Sequence, residues 1–272
     1  LVMEVWPEKH RSKLAGLIGA VGNIGFLVMA IVGWNFHVTV DSWGWVALVG
    51  ATPALVTFFV RLFVPESEKW RQATATTPSH PVRELISGGY IGRIAIATVL
   101  ASVVLIGTWG SVQWLPSWAD KLTNGTDPDA KAVTQALSAI GAVLACFLGA
   151  WLGGHFGRRL AYALLCLGSL VSCAYLFRGV DEYGPTFLVM TFIVGGITAA
   201  FYGWFPLYLP ELFPTRVRAT AQGTAYNAGR ILAAVGALQM GALMRTFEGS
   251  YAKAGAVITL IYIVGLVAIW FA

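Results

Sequence analysis

The most informative side chain in this sequence is an arginine where arginine is costly. Arg230 lies twelve positions after Arg218, inside an otherwise apolar stretch. At about 1.5 Å per residue it reaches roughly 18 Å into a helix, near the middle of a bilayer. A guanidinium there costs from about 2.5 kcal/mol upward, so it must face a cavity or a partner. Gly223, Tyr226, Asn227 and Arg230 fall at i, i+3, i+4 and i+7 and share one helix face. That polar stripe offers donors suited to a planar carboxylate. Two readings stay open: Arg230 touches a substrate or takes part in coupling, or it is structural, capping carbonyls or paired with an acid on another helix.

No enzyme constellation accompanies it. His10, His37, His80 and His155 are scattered. There is no HExxH, no paired-cysteine metal site and no phosphate-cradling Gly-rich loop ending in Lys-Ser or Lys-Thr. No metal and no cofactor are expected. Cys146, Cys166 and Cys173 all lie in apolar stretches and are odd in number, so they read as small packing residues rather than a disulfide framework. The thirteen acidic residues lie at span ends or in loops, with none deep in a span. A proton-coupled carrier usually needs a buried carboxylate of raised pKa, which would have to lie ahead of Leu1.

The elements that must position Arg230 are membrane helices. The chain has 272 residues, 57% hydrophobic and 11% charged, and its mean hydropathy is +0.70. Soluble domains carry roughly 25% charge, because an aqueous exterior requires it. A bilayer lifts that requirement. The net charge of +5 does not signal a nucleic-acid partner, because the basic residues sit in short loops between apolar runs. About 20 apolar residues cross a bilayer. Eight stretches qualify, near 13–35, 43–64, 91–118, 131–152, 160–178, 185–209, 219–244 and 254–272. Alternate loops differ in charge. Lys9, Arg11, Lys13, Arg61, Lys69, Arg71, Arg83, Arg93, Arg158, Arg159, Arg216 and Arg218 fall on one side, and Lys121, Lys131, Arg178, Arg245 and Lys253 on the other. Basic loops stay cytoplasmic, which puts both ends of the chain in the cytoplasm of a plasma-membrane protein. Residues 65–90, rich in Thr, Ser and Pro, read as a cytoplasmic linker with a short surface helix near Val82–Ser87. The organisation expected is residues 1–64 as the last two helices of a first half, this linker, and residues 91–272 as a six-helix second half.

The chain repeats itself. Glu4-Val-Trp-Pro-Glu-Lys-His-Arg11, followed by Gly16 and Gly22, matches Glu211-Leu-Phe-Pro-Thr-Arg-Val-Arg218, followed by Gly223 and Gly229. The offset is a constant 207 residues, from Glu4 to Glu211, Arg11 to Arg218 and Gly22 to Gly229. Six spans intervene, so the motif returns to the same side in the same direction. That is a parallel repeat about an axis along the membrane normal. It implies four helices ahead of Leu1, so that this all-α membrane chain carries eight of twelve. The repeat maps Arg230 onto Asn23, also mid-span. Gly16, Gly19, Gly22 and Gly25 recur every third residue and are expected to admit close helix packing.

Three motifs resemble those of the major facilitator superfamily, over essentially the whole chain. Pro65-Glu66-Ser67-Glu68-Lys69-Trp70 is similar to a motif after helix six of its sugar porters, where Glu68 replaces a proline. Gly157-Arg158-Arg159 resembles the end of the loop after helix eight, where Gly154 and His155 stand for the family's Asp and Arg. Glu211 to Arg218 resembles the motif after helix ten. Helix seven has only Gln113 where sugar porters have paired glutamines, and Tyr226-Asn227-Ala-Gly229-Arg230 is closer to bacterial proton symporters for organic acids and sialic acid.

The resemblance implies a major-facilitator bundle that works by alternating access. It implies a cytoplasmic gate of ion pairs drawn from Glu4, Arg11, Glu66, Arg158, Arg159, Glu211 and Arg218. It also implies a cavity lined by helices seven and ten, where Trp109, Gln113, Trp114, Tyr202, Trp204 and Tyr208 lie, with Pro206 as a kink. With Arg230, Asn227, Tyr226 and Asn23, these give the candidate substrate residues Arg230, Asn227, Tyr226, Asn23, Gln113, Trp109 and Tyr202. The expected protein is a monomer in the lipid bilayer that moves a small anionic organic metabolite, with protons. A sugar or polyol porter is the alternative. A channel is the reading of a different class, and it would lack the saturable counterflow of a carrier.

Overall fold

A computed structural model describes every residue except 1–6, 37–38, 40, 65–67, 69–70, 73–79 and 239, together with the side chains of all described residues but 8, 237 and 240. Among the described residues there is no β-strand and there are fourteen α-helices. They are α1 (Arg11–Phe36), α2 (Trp43–Ala51), α3 (Pro53–Phe63), α4 (Pro81–Ser87), α5 (Ile91–Gly110), α6 (Leu115–Leu122) and α7 (Ala130–His155). There follow α8 (Arg158–Gly179), α9 (Pro185–Ala199), α10 (Phe201–Tyr208), α11 (Thr215–Leu238), α12 (Met240–Thr246), α13 (Tyr251–Ile258) and α14 (Ile261–Ala268). The short helix expected near Val82–Ser87 forms as α4.

Among the described residues, seven helical segments are long and apolar enough to cross a membrane. The eighth stretch expected, near 219–244, is helical as α11 and α12. At 24 residues α11 has the length, about 36 Å. It falls short in apolarity because it carries Arg216, Arg218, Gln222, Asn227 and Arg230. The same residues that make it chemically interesting remove it from the apolar set.

Several spans are interrupted, and proline chemistry explains one of the breaks. Pro116 has no N–H and its ring clashes with the carbonyl four residues back, at Val112. The chain accordingly passes from α5 through a 3₁₀ turn at Val112–Trp114 before α6 begins. Pro206 lies inside α10, which stays helical through it. The interruption falls slightly upstream of the expected kink, at Ala200, where the Gly203 N–H bonds the Ala200 carbonyl at 3.1 Å. Both breaks lie beside the cavity described below.

Helices in lipid gain little from hydrophobic burial against one another, so close packing must hold them together. At the crossing of α7 and α10, a Cβ on Gly203 would collide with the Cys146 carbonyl, and one on Gly149 with the Ala200 carbonyl. Backbone therefore lies on backbone. Beside this crossing, Tyr162, Phe201, Trp204 and Tyr262 are buried among Leu100, Leu105 and Phe187. The Tyr162 hydroxyl donates to the Leu100 carbonyl at 2.9 Å, so the ring enters the core without stranding its polar tip. Cys146, Cys166 and Cys173 are reduced and buried in this packing.

The helix α1 lies along α7 and across α10. Gly16 faces Phe147, and a Cβ on Gly19 would sit 2.8 Å from the Tyr202 backbone. Gly22 and Gly25, expected to pack likewise, face open space: a Cβ on either would meet nothing within 4 Å. Only the first half of the glycine series is a contact. The α2 and α3 segments have no buried residue.

Candidate functional site

One end of the bundle is basic, and the described contacts bring its charges together. Arg158, the first residue of α8, makes a two-pronged pair with Glu211, with Nε 3.1 Å from Oε2 and Nη2 2.6 Å from Oε1. Its remaining donor bonds the Gly153 carbonyl at the end of α7. The Trp204 indole N–H donates to the Arg158 carbonyl at 3.0 Å. Arg159 donates to the Ala272 oxygen at 2.9 Å, while Arg218 donates to the Pro210 and Phe213 carbonyls at 2.9 and 3.2 Å. Arg11 opens α1 at the same end, where a Cβ on Gly154 would meet the Ser12 hydroxyl at 2.6 Å. The aspartate of the resembled motif would require the Ser12 hydroxyl to move aside. Glu4 and Glu66 lie outside the described residues.

A second ion pair at this end had no sequence expectation. Arg216 grips Glu84 of α4 with Nε–Oε2 at 3.2 Å and Nη2–Oε1 at 2.9 Å. Beneath the pair, Leu85 packs on Phe213, Val217 and Ala221 at the start of α11. The Arg216 hydrogen bonds, and then the His80 N–H at 3.0 Å, hold the Glu84 carboxyl below its ordinary 4.5.

Above this end lies a cavity of about 800 Å³, at the upper range of small-molecule sites. Five helical segments wall it. From α1 come Gly19, Gly22, Asn23 and Phe26; from the α5–α6 break, Thr108, Trp109 and Gln113; and from α7, Gln135 and Ser138. The α9–α10 segment gives Thr198, Tyr202 and Phe205, and α11 gives Gln222, Gly223, Tyr226 and Arg230. Six of the seven candidate substrate residues therefore share one wall system: Arg230, Tyr226, Asn23, Gln113, Trp109 and Tyr202. Asn227 does not line it and is exposed elsewhere. The reason is angular. The lining positions 219, 222, 223, 226 and 230 cluster on one side of α11, and at about 100° per residue Asn227 falls off its edge.

The geometry at Arg230 is specific. Its guanidinium carbon stands 5.0 Å from the centroid of the Tyr226 ring. A cation over an aromatic face is worth about 0.5–2 kcal/mol, more when dry. Phe205 holds Tyr226 edge-on at 5.8 Å. No described carboxylate lies within ion-pair distance of Arg230. Its α-carbon is fifteen residues from the start of α11, about 22 Å along the helix. The guanidinium thus stands far along the helix, exposed at the cavity wall, beside the Tyr226 ring and hydrogen-bonded to the Tyr226 side chain.

Other polar groups on the wall are already engaged. Asn23 donates to the Gly19 carbonyl at 2.9 Å and the Cys146 thiol at 3.5 Å. Thr108 and Tyr202 share a hydrogen bond of 3.1 Å, and Thr198 donates to the Val194 carbonyl at 2.7 Å. Phe26 packs edge-on against Trp109 at 6.2 Å. Polar and aromatic wall residues that sequence reasoning passed over include Phe26, Thr108, Gln135, Ser138, Thr198, Phe205 and Gln222. Gln222 was within reach: it stands four and eight positions before Tyr226 and Arg230, on the same helical stripe.

Comparison with known proteins agrees with this architecture. A Haemophilus influenzae protein named for metabolite transport is 26% identical over 277 residues, covering 98% of this chain and 67% of its own length. The cis,cis-muconate transport protein of Acinetobacter baylyi is 27% identical over 260 residues, covering 89% of this chain and 60% of its own. An inner membrane metabolite transport protein of Escherichia coli is 27% identical over 263 residues, covering 86% and 57%. The chain thus spans about three fifths to two thirds of the length of these relatives. The Major Facilitator Superfamily model matches residues 1–237, and the chain belongs to that family.

Proposed function

We propose that this protein is a secondary active transporter that works by alternating access and carries a small anionic organic metabolite together with protons. The observation that carries the reading is Arg230, which lines an 800 Å³ cavity beside Tyr226 with no carboxylate partner among the described residues. A guanidinium held at that depth needs a compensating anion, and a substrate carboxylate supplies one. A structural arginine would instead be consumed by carbonyls or an acid. The muconate named for one relative is itself such an anion.

Each part of the site has a task. Arg230 takes the carboxylate, and Tyr226 fixes the guanidinium plane. Trp109, Phe26 and Phe205 offer apolar faces to the substrate body. The breaks at Ser111–Trp114 and Ala200 free the helices on either side to tilt about them. At the basic end, Arg158–Glu211 and its neighbours form contacts that a gate must break and remake. Exposed pairs are worth about 0–1 kcal/mol, small enough to cycle.

Uptake into liposomes tests this. With Arg230→Gln, uptake of carboxylates should fall at least tenfold while neutral sugars are unaffected, and an imposed inward proton gradient should drive wild-type accumulation. Unchanged carboxylate uptake would remove the reading. A sugar or polyol porter is the second reading, favoured by Gln113, Gln135 and Gln222 in the same cavity. It predicts saturable counterflow of neutral polyols that survives Arg230→Gln.

A further inference from the structure

Beyond the carboxylate, the cavity carries a second, unspent set of polar groups. Gln113 on the α5–α6 break, Gln135 on α7 and Gln222 on α11 all line it. Among the described residues none of these three amides has a hydrogen-bond partner, although Asn23, Thr108 and Thr198 in the same wall are each satisfied by the protein. The engaged groups maintain the scaffold. The free ones are available to a ligand.

Their placement is informative. Gln222 lies eight residues before Arg230 on α11, about 12 Å closer to the basic end. Gln135 is five residues into α7, which starts at the opposite end, and Gln113 follows the end of α5 at that same end. Free amides therefore stand on both sides of the arginine's level. A glutamine amide presents a donor and an acceptor on one plane. That pattern answers a hydroxyl, which also donates and accepts. A second carboxylate would want donors only, and a plain hydrocarbon body would leave three amides without partners. The aromatic faces of Trp109 and Phe26 suit the C–H face of a saturated ring.

We propose that the substrate is a polyhydroxylated carboxylate, with Arg230 reading the acid and Gln113, Gln135 and Gln222 reading the hydroxyls. This rests on the anion-transport reading above and narrows it.

The test compares cyclohexanecarboxylate with its trihydroxylated counterpart in liposomes containing the full-length protein. Wild type should favour the hydroxylated acid by roughly tenfold or more in kcat/KM, since a site built for hydroxyls discriminates against analogues lacking them. Replacing all three glutamines by leucine should bring that preference near unity while uptake of the plain acid persists. Its persistence also reports that the variant is folded. If the triple variant does not fold, the single replacements decide, each expected to lower the preference several-fold. Equal handling of both acids by wild type, or an undiminished preference in the variants, would overturn the proposal and leave the anion reading standing. Uptake of the neutral trihydroxylated alcohol with neither acid carried would overturn both.

Discussion

The helices α1 and α11 start from matching sequence motifs 207 residues apart, and they have been put to opposite uses. Both line the same cavity, and the repeat places Asn23 where α11 has Arg230. On α1 the polar group is spent: Asn23 bonds its own helix at Gly19 and reaches Cys146 on α7. Gly16 and Gly19 bring the α1 backbone against α7 and α10. On α11 the matching group is a charge on the cavity wall whose described neighbour is Tyr226, and the companion Gln222 amide has no hydrogen-bond partner among the described residues. Of the paired glycines, Gly22 faces open space, while a Cβ on Gly229 would stand 3.0 Å from Ala101. On the proposed function, one copy of the repeat is a seat and the other a reader. Asymmetry of this kind lets a repeated scaffold bind an asymmetric ligand.

The comparison breaks first where packing is tightest. Gly19→Leu drives a side chain into the Tyr202 backbone, and overpacking costs about 1–3 kcal/mol or more. The variant should lose several degrees of Tm in detergent, or fail to yield a monodisperse protein. Gly22→Ala, three residues along the same helix, meets nothing and should match wild type. Equal damage from both would mean that α1 is not seated as described. Asn23→Ala probes the seat more gently. Losing its hydrogen bonds should cost about 1 kcal/mol in stability and change substrate affinity by less than about threefold, because its donors already serve the protein. A large affinity loss would make α1 a reader as well.

The smallest effect belongs to the basic end. Glu84 sits below its ordinary pKa because Arg216 holds it. The contact therefore contributes fully above pH 4.5 and is lost as acidification carries the carboxyl through its lowered value. Amide exchange across Pro81–Ser87 should quicken at such acid pH in wild type and at neutral pH in Glu84→Gln. The core of α11 beyond Ala221 should be unaffected in both.

Much of this was legible in the sequence because a bilayer enforces simple rules. Apolar runs of span length, basic residues in alternate loops and a motif repeated at a fixed offset mark the helices and their ends. Arg230 stood out because its cost in lipid admits few roles. The misses have physical causes. Asn227 obeyed the stripe spacing, yet the cavity's arc on α11 centres nearer Gln222 and Tyr226. Gly22 and Gly25 continued a spacing whose contacts stop where α1 leaves α10. Gln135 sits in a largely apolar span, and the packing of α7 on α9 at Ser138 and Gly141 became visible only in the fold. Glu84 belonged to a polar linker, and its partner became visible only once Leu85 had docked on α11.

The central claim is that Arg230 meets the substrate's negative charge. Binding of benzoate and of its neutral isostere benzamide to the protein in nanodiscs measures it most directly. A charge-assisted hydrogen bond is worth about 1.5–3 kcal/mol, so wild type should prefer the acid by about ten- to a hundredfold. Arg230→Gln should erase that preference, and Arg230→Lys should keep part of it. A preference for the acid that is the same in Arg230→Gln as in wild type would contradict the account.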